Sequence, residues 1–234
     1  MSGWALAEWL CLDLETNGLG EGARLVSAAV VWMRLGREID TRTWLADAGG
    51  EEIPREAAEL HGISTARAHR FGRPALRVAL EVAEVLADAV AGGMPIVAFH
   101  APFDLTIVDR ELGRGGQQLP SFIGGSAMVL DPPVIDRAAD PHHTRSRSLR
   151  SLADWYLVRH ERPHEALSDA SAAGQVMYQI AGAFPEVRDT DLVTLVGRQR
   201  RWAAEQAQAR VRGGGKAGPA GWPLIPRQQD GDAR

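Results

Sequence analysis

Asp13 and Glu15 stand one residue apart, where the apolar run EWLCLDL gives way to an Asn17-Gly18 break. In an extended strand, side chains two residues apart project to the same side, with Cα atoms about 6.5–7 Å apart. Two carboxylates held together oppose each other's ionisation unless a cation neutralises them, and all-oxygen ligands suit Mg²⁺ or Mn²⁺. The competing reading is two solvated acids at a strand end, the commoner origin of an isolated Asp-x-Glu. Two further segments carry residues of the same kind. In IVAFHAPFDLTIVDREL, Asp104 follows an apolar run and falls in the first turn of a helix, where the dipole favours an anion, although many such aspartates are only caps. In RPHEALSDASAAGQ, His164 precedes Asp169 by five positions. Asp169 at the start of a small-residue helix can face a sheet, with His164 on the approach to it.

These residues need a sheet and helices to hold them. Residues 8–14 read as a short strand. Arg24–Arg34, rich in Val, and Arg37–Ala46, where Ile39, Thr41, Thr43 and Leu45 alternate with polar neighbours, extend it into a three-stranded meander that turns at Leu35-Gly36-Arg37. PREAAELHGIS gives a short helix and a turn. RPALRVALEVAEVLADAVAGG gives a long amphipathic helix closed by glycine, with Leu76, Leu80, Val82, Ala83, Leu86 and Val90 as its apolar stripe. Met94–Phe99 suits a buried strand and FDLTIVDREL the helix after it. From Gly113 to Arg147, glycines, prolines and a His-His pair interrupt any period, apart from a short fifth strand within VLDPPVID. Helices return at Ser148–Val158, at ALSDASAAGQVMYQIAGAF and at Thr190–Val211, and from Gly213 onward the chain reads as a flexible tail. A meander followed by alternating helices and strands predicts an α/β layer fold with a mixed sheet.

A chain of 234 residues, 45% hydrophobic and 24% charged, can bury one sizeable core. Its 26 Lys+Arg against 30 Asp+Glu give a net charge of −4, which excludes a global basic field while leaving a local basic patch open. Lys216 is the only lysine; the cations are otherwise arginines, whose planar fork suits phosphate. A single cysteine, Cys11, excludes an internal disulfide and, within an apolar run, reads as a buried, inert thiol fitted to a reducing cytoplasm. The N-terminal MSGWALAEWL lacks a basic leader region, and no apolar run approaches the roughly 18 residues of a membrane span. A soluble, cytoplasmic protein with no membrane partner is expected.

Together and in this order, DLETNGL, AFHAPFD and HEALSD resemble the three motifs of the DnaQ-like, DEDDh-type 3′-to-5′ exonucleases, the family that includes the proofreading epsilon subunit of bacterial DNA polymerase III. Asp13, Glu15, Thr16, Asn17 and Gly18 match its D-x-E-T-T/N-G, and His164 and Asp169 match its H-x4-D. Ile53–Ser64 is similar to its I-P-x-x-A-x-x-x-H-G-I-T segment, and SLRSLADWYLV to the helix after the second motif. In that second motif, Phe99 and His100 stand where His and Asn are usual, which keeps Asp104 and changes a polar contact beside the substrate.

The resemblance covers about residues 8–185 and implies a ribonuclease H-like fold, in which five strands in the order 3-2-1-4-5, the second antiparallel, carry helices on both faces. It implies an exonuclease domain over residues 1–185, a C-terminal helix at 186–212 packed on it or extending it, and a tail at 213–234. Asp13, Glu15, Asp104 and Asp169 would hold two divalent ions, Mg²⁺ or Mn²⁺, about 3.5–4 Å apart. His164 would take the proton from the attacking water, as imidazole titrates near neutrality. The implied activity is hydrolysis of the terminal phosphodiester of single-stranded DNA or a frayed 3′ end, with RNA as a second substrate, releasing nucleoside 5′-monophosphates. Thr16, the Gly18 backbone, Leu19, His61, His100 and Phe103 are the implied substrate contacts; core packing or turn formation is the competing reading of Leu19, His61 and Phe103. Arg145, Arg147 and Arg150 would hold the strand's phosphates or solvate a loop, and Asp136 would be either structural or a support behind the site's ligands. The alternative is a proofreading or accessory subunit that docks on a polymerase or helicase through the Thr190–Val211 helix and the Trp222-bearing tail.

Overall fold

The alternating and Val-rich runs near the N-terminus form three strands in the computed structural model, which describes residues 3–118, 128–214 and 222–225. A short helix α1 (Gly3–Leu6) leads into β1 (Glu8–Thr16), β2 (Leu25–Arg34) and β3 (Arg37–Leu45), which pair antiparallel in sequence. The β2–β3 hairpin turns on Leu35 and Gly36, both at positive φ (52° and 70°), the twist that a two-residue connection requires. Helices α2 (Arg55–His61), α3 (Thr65–Phe71) and α4 (Ala75–Ala91) precede β4 (Ile96–Ala98), which lies parallel to Leu10–Leu12 of β1. Then come α5 (Ala101–Arg114), β5 (Val129–Leu130), α6 (Pro132–Ala139), α7 (Leu149–Trp155), α8 (Ala166–Ala183), α9 (Pro185–Arg188) and α10 (Leu192–Arg212). The sheet order is β3-β2-β1-β4-β5, with β2 antiparallel to both its neighbours, as the resemblance implies.

Three elements differ from the expectation. β1 runs two residues further than residue 14, so Glu15 is itself a strand residue. α3, capped by the Ser64 side chain, follows α2 where a turn was expected. α6 occupies the stretch whose prolines read as a break: Pro132 and Pro133 sit in its first turn, where a missing N–H loses no helical bond.

Because side chains alternate, β1 serves two cores at once. Leu10, Leu12 and Leu14 face α4 and α5, where Val82, Ala83 and Leu86 are buried and Leu76, Leu80 and Val90 pack at the margin. Trp9 and Cys11 face the other way, toward α7 and α8. Cys11 is fully buried there, and burial pushes its thiol well above the usual range. α8 can lie close on the sheet because its inner face is small: Ala170, Ala173 and Gly174. A Cβ on Gly174 would stand 2.2 Å from Met33 Sδ and 2.4 Å from Cys11 Sγ.

The C-terminal helix closes the sheet. Gln199, fully buried on α10, accepts the Asp131 N–H at 2.8 Å and donates to the Val129 carbonyl at 2.9 Å, meeting the backbone of β5 as another strand would. Within the stretch expected as a tail, Trp222 and Leu224 pack against the core shared by α4 and α5, and the Ile225 N–H donates to Thr106 Oγ1 at 2.8 Å. Among the described residues, no helix is long and apolar enough to cross a membrane.

The close approach of α8 makes Gly174 the most constrained position on that helix. Gly174→Ala is expected to destabilise the fold by about 1–3 kcal/mol, the usual penalty of overpacking, despite alanine's better helix propensity. Urea denaturation of the variant beside the parent checks this, and equal midpoints would contradict it.

Candidate active site

The sheet's parallel pairing ends early. β4 stops at Ala98, level with Leu12, so the next inward N–H of β1, that of Leu14, has no strand to bond. Asp104, in the first turn of α5, supplies the acceptor: its Oδ1 lies 2.9 Å from Leu14 N, and the side chain is 2% exposed. The start of α5 is fixed in turn by Asp131, just past β5, which accepts the His100 N–H at 3.1 Å. Burial raises Asp131 to about 7, against the N–H groups of His100 and Ala101. His100, as N-cap, takes a left-handed φ of 61°.

The row of β1 that begins with Trp9 and Cys11 continues as Asp13 and Glu15, and therefore meets Asp169 in the first turn of α8. One carboxylate oxygen from each of Asp13, Glu15 and Asp169 lies within 4.8 Å of the others. Burial drives Asp13 well above the carboxylate range, and Asp104, Asp169 and Glu15 add to it. Glu15 rises to about 8, by burial and then by Asp169. Asp104 rises by burial, with the Leu14 N–H opposing and Glu15 and Asp131 adding. Like charges that raise one another in this way, with oxygen donors only, fit a hard divalent cation. The resemblance implied four acids together; three converge, while Asp104 raises Asp13 and gives one oxygen to the strand.

Asp169 also gathers the loop before α8. The His164 N–H reaches both its oxygens at 3.2 Å, and His164 adopts a φ of 64°, a left-handed conformation uncommon outside glycine. His160 Nε2 lies 2.7 Å from Asp169 Oδ1, with its side chain 6% exposed. Nothing in the sequence marked His160, which lies in an irregular loop without period.

A cavity of about 560 Å³ opens over these groups, lined by the carboxylates of Asp13, Glu15 and Asp169, by His164, and by the Thr16–Leu19 loop, His61 and Phe103. That loop is held by Asn17, whose side chain accepts the Arg24 N–H at 2.7 Å and donates to the Glu52 carbonyl at 3.2 Å. The Thr16 hydroxyl donates to the Gly18 carbonyl at 2.6 Å. Leu19 is 86% exposed at the loop tip, which rules out core packing as its role. His61 Nδ1 accepts the Ile63 N–H at 3.2 Å, and its pKa is lowered chiefly by burial, with His164 adding.

His100 does not line this cavity. Its imidazole is held below its usual pKa by desolvation and then by Arg210 and Arg137, on the α6–α10 side. Of the three candidate arginines, Arg147 is corrected: it is buried, donating from Nε to Asp136 Oδ2 at 2.6 Å and from its other arm to the Asp140 carbonyl, so it holds the fold and not a strand. Asp136 is fully buried and also accepts the Tyr156 hydroxyl, a structural role as expected. Arg145 lies over the Trp155 ring, 5.6 Å from its centroid, and Arg150 is exposed.

The exonuclease family model RNase_T matches residues 10–177. The 3′-5′ exonuclease DinG of Bacillus subtilis is 30% identical over 174 residues, 74% of this chain and 17% of that protein. Among solved structures, a zinc-bound complex of E. coli Exonuclease I with single-stranded DNA matches with a TM-score of 0.67 and 17% identity over 78% of this chain and 42% of that one. Exonuclease I of Methylocaldum szegediense matches with a TM-score of 0.60 and 18% identity, over 86% and 45% respectively. The chain thus spans 17% of the DinG length and less than half of these Exonuclease I chains.

The carboxylate cluster has a pH signature without metal. Glu15's folded-state value of about 8 lies above its ordinary 4.5, so the stability linked to its proton is complete below about pH 4.5 and lost as pH rises toward 8. In excess chelator, the protein is expected to melt lower at pH 8 than at pH 6, and Glu15→Gln to shrink that difference. Circular dichroism melts across this range check it; a flat wild-type profile would contradict the buried-charge account.

Proposed function

The chain belongs to the RNase_T exonuclease family, the DnaQ-like 3′-to-5′ nucleases, and from that premise we propose that it hydrolyses the 3′-terminal phosphodiester of single-stranded DNA and releases nucleoside 5′-monophosphates. The observation that carries the reading is the convergence of Asp13, Glu15 and Asp169 within 4.8 Å, at the floor of a cavity wide enough for a terminal nucleotide. Two Mg²⁺ or Mn²⁺ ions held by these residues and Asp104 would activate water and stabilise charge on the phosphate and the leaving 3′ oxygen. Bound cations also account for a net acidic protein acting on a polyanion.

The chain's own residues supply the rest. His164, on the loop tied to Asp169, takes the proton of the attacking water. Asn17 fixes the Thr16–Leu19 loop, so that Leu19 can lie against the terminal base and the Gly18 backbone against its sugar. Phe103 and His61 line the same cavity. Single-stranded substrate is favoured by the likeness to Exonuclease I, whose structures include complexes with single-stranded DNA and with dT13 and dA16 oligonucleotides. Docking on a polymerase or helicase would have to use the outer face of α10, because its inner face and Trp222 already pack on the domain.

A 5′-labelled oligonucleotide incubated with Mg²⁺ or Mn²⁺ is expected to shorten from its 3′ end, with 5′-monophosphates as product. Asp13→Ala should abolish this, and His164→Ala should slow it about 10²–10⁴-fold, the usual contribution of a general base. Equal rates for wild type and Asp13→Ala would remove the proposal. Parallel single-stranded DNA, frayed duplex and short RNA substrates rank its preference.

A further inference from the structure

Asp169 is gripped from one side by two groups that belong to the same loop. The His164 backbone N–H is shared between its two oxygens at 3.2 Å, and the His160 ring brings Nε2 to 2.7 Å from Oδ1. A carboxylate accepts and does not donate, so Nε2 carries the proton and the contact is a charge-assisted hydrogen bond, the shorter and stronger of the two grips. The other ring nitrogen, Nδ1, is buried and has no hydrogen-bond partner among the described residues. A histidine whose side chain is 6% exposed and whose other nitrogen is orphaned is a poor filler for an apolar space, where leucine or methionine would leave no unmet polar atom. Among the described residues, its polar contact is with Asp169.

We infer that His160 is a positioning residue for the metal centre: its Nε2–H holds the Asp169 carboxylate turned toward Asp13 and Glu15, and so sets the affinity of the site for a divalent ion. The inference rests on the proposed metal-dependent function. With one oxygen held by His160 and both steadied by the His164 amide, the free lone pairs of Asp169 keep a fixed direction beside Asp13 and Glu15. Hydrogen-bonded partners of metal-ligating groups are worth about 10–100-fold in metal affinity. The same bond ties the loop that carries His164 to α8 at a second point, four residues before the backbone contact, so the base and the ligand are positioned together.

The test uses the full-length protein stripped of metal and titrated with Mn²⁺, following free Mn²⁺ by electron paramagnetic resonance. His160→Met, which fills the space without a donor, is expected to raise the Mn²⁺ dissociation constant about 10–100-fold. His160→Gln, which presents an N–H at similar reach, should stay near wild type. At saturating Mn²⁺ the KM for the oligonucleotide should be the same in all three. Should His160→Met not fold, His160→Ala takes its place in the comparison. Wild type and the donorless variant binding Mn²⁺ within twofold of each other would overturn the role of His160 and leave the nuclease reading standing. A folded wild type that binds no Mn²⁺ at all would remove both.

Discussion

The bond from the Leu14 amide to the Asp104 carboxylate, 2.9 Å long, is the joint on which the site is built. A parallel neighbour that stops after three residues leaves β1 with an inward N–H facing no strand, in a buried place where an unmet amide costs about 1–3 kcal/mol. Filling that gap with a carboxylate from the first turn of a helix does two things at once. It satisfies the strand, and it brings an acid next to the residue before, Asp13, whose side chain leaves the strand in the other direction from Leu14's. The position of α5 follows from the same requirement, and so does that of Asp131, which fixes where the helix begins by accepting the His100 amide.

The opposite face answers a different need. Asp169 must reach the Asp13–Glu15 row from a helix lying across the sheet, and a helix of ordinary side chains would stand too far off. α8 solves this with alanines and a glycine against Met33 and Cys11, which lets its first turn come down over the end of β1. The charge assembled in this way is unfavourable by itself: Asp13, Glu15 and Asp104 are all raised by burial first and then by neighbouring carboxylates, Asp169 among them for Asp13 and Glu15. The packing of two hydrophobic cores therefore holds together a group of acids that would separate if free.

Taken singly, the period-two pair on a strand, the acid in a helix's first turn and the histidine five before another acid each fit a bland reading; the acids were legible only through the family resemblance that their combination and order carry. The meander was legible by itself, being made of long periodic runs. What escaped lacked period. The two prolines opening α6 look like a break until their place in a first turn is known. Arg147 read as a loop cation because nothing local shows that Asp136, eleven residues earlier, is buried beside it. His160 was invisible for a related reason: its partner is set by a loop that doubles back, and the left-handed turn at His164 that makes the loop double back carries no glycine to announce it.

The two edges of the sheet are finished in different ways. At β5 a glutamine from the C-terminal helix occupies the backbone groups that another strand would take, so that edge is sealed. At β3 no further strand pairs among the described residues, and the strand from Arg37 to Thr43 is exposed along its length, with Arg37, Glu38, Asp40 and Arg42 among its residues. A second copy approaching that edge meets charges of both signs that would have to match in register before any backbone pairing begins. One edge is thus closed to a further strand by occupancy, through a single side chain of α10, and the other is discouraged by charge.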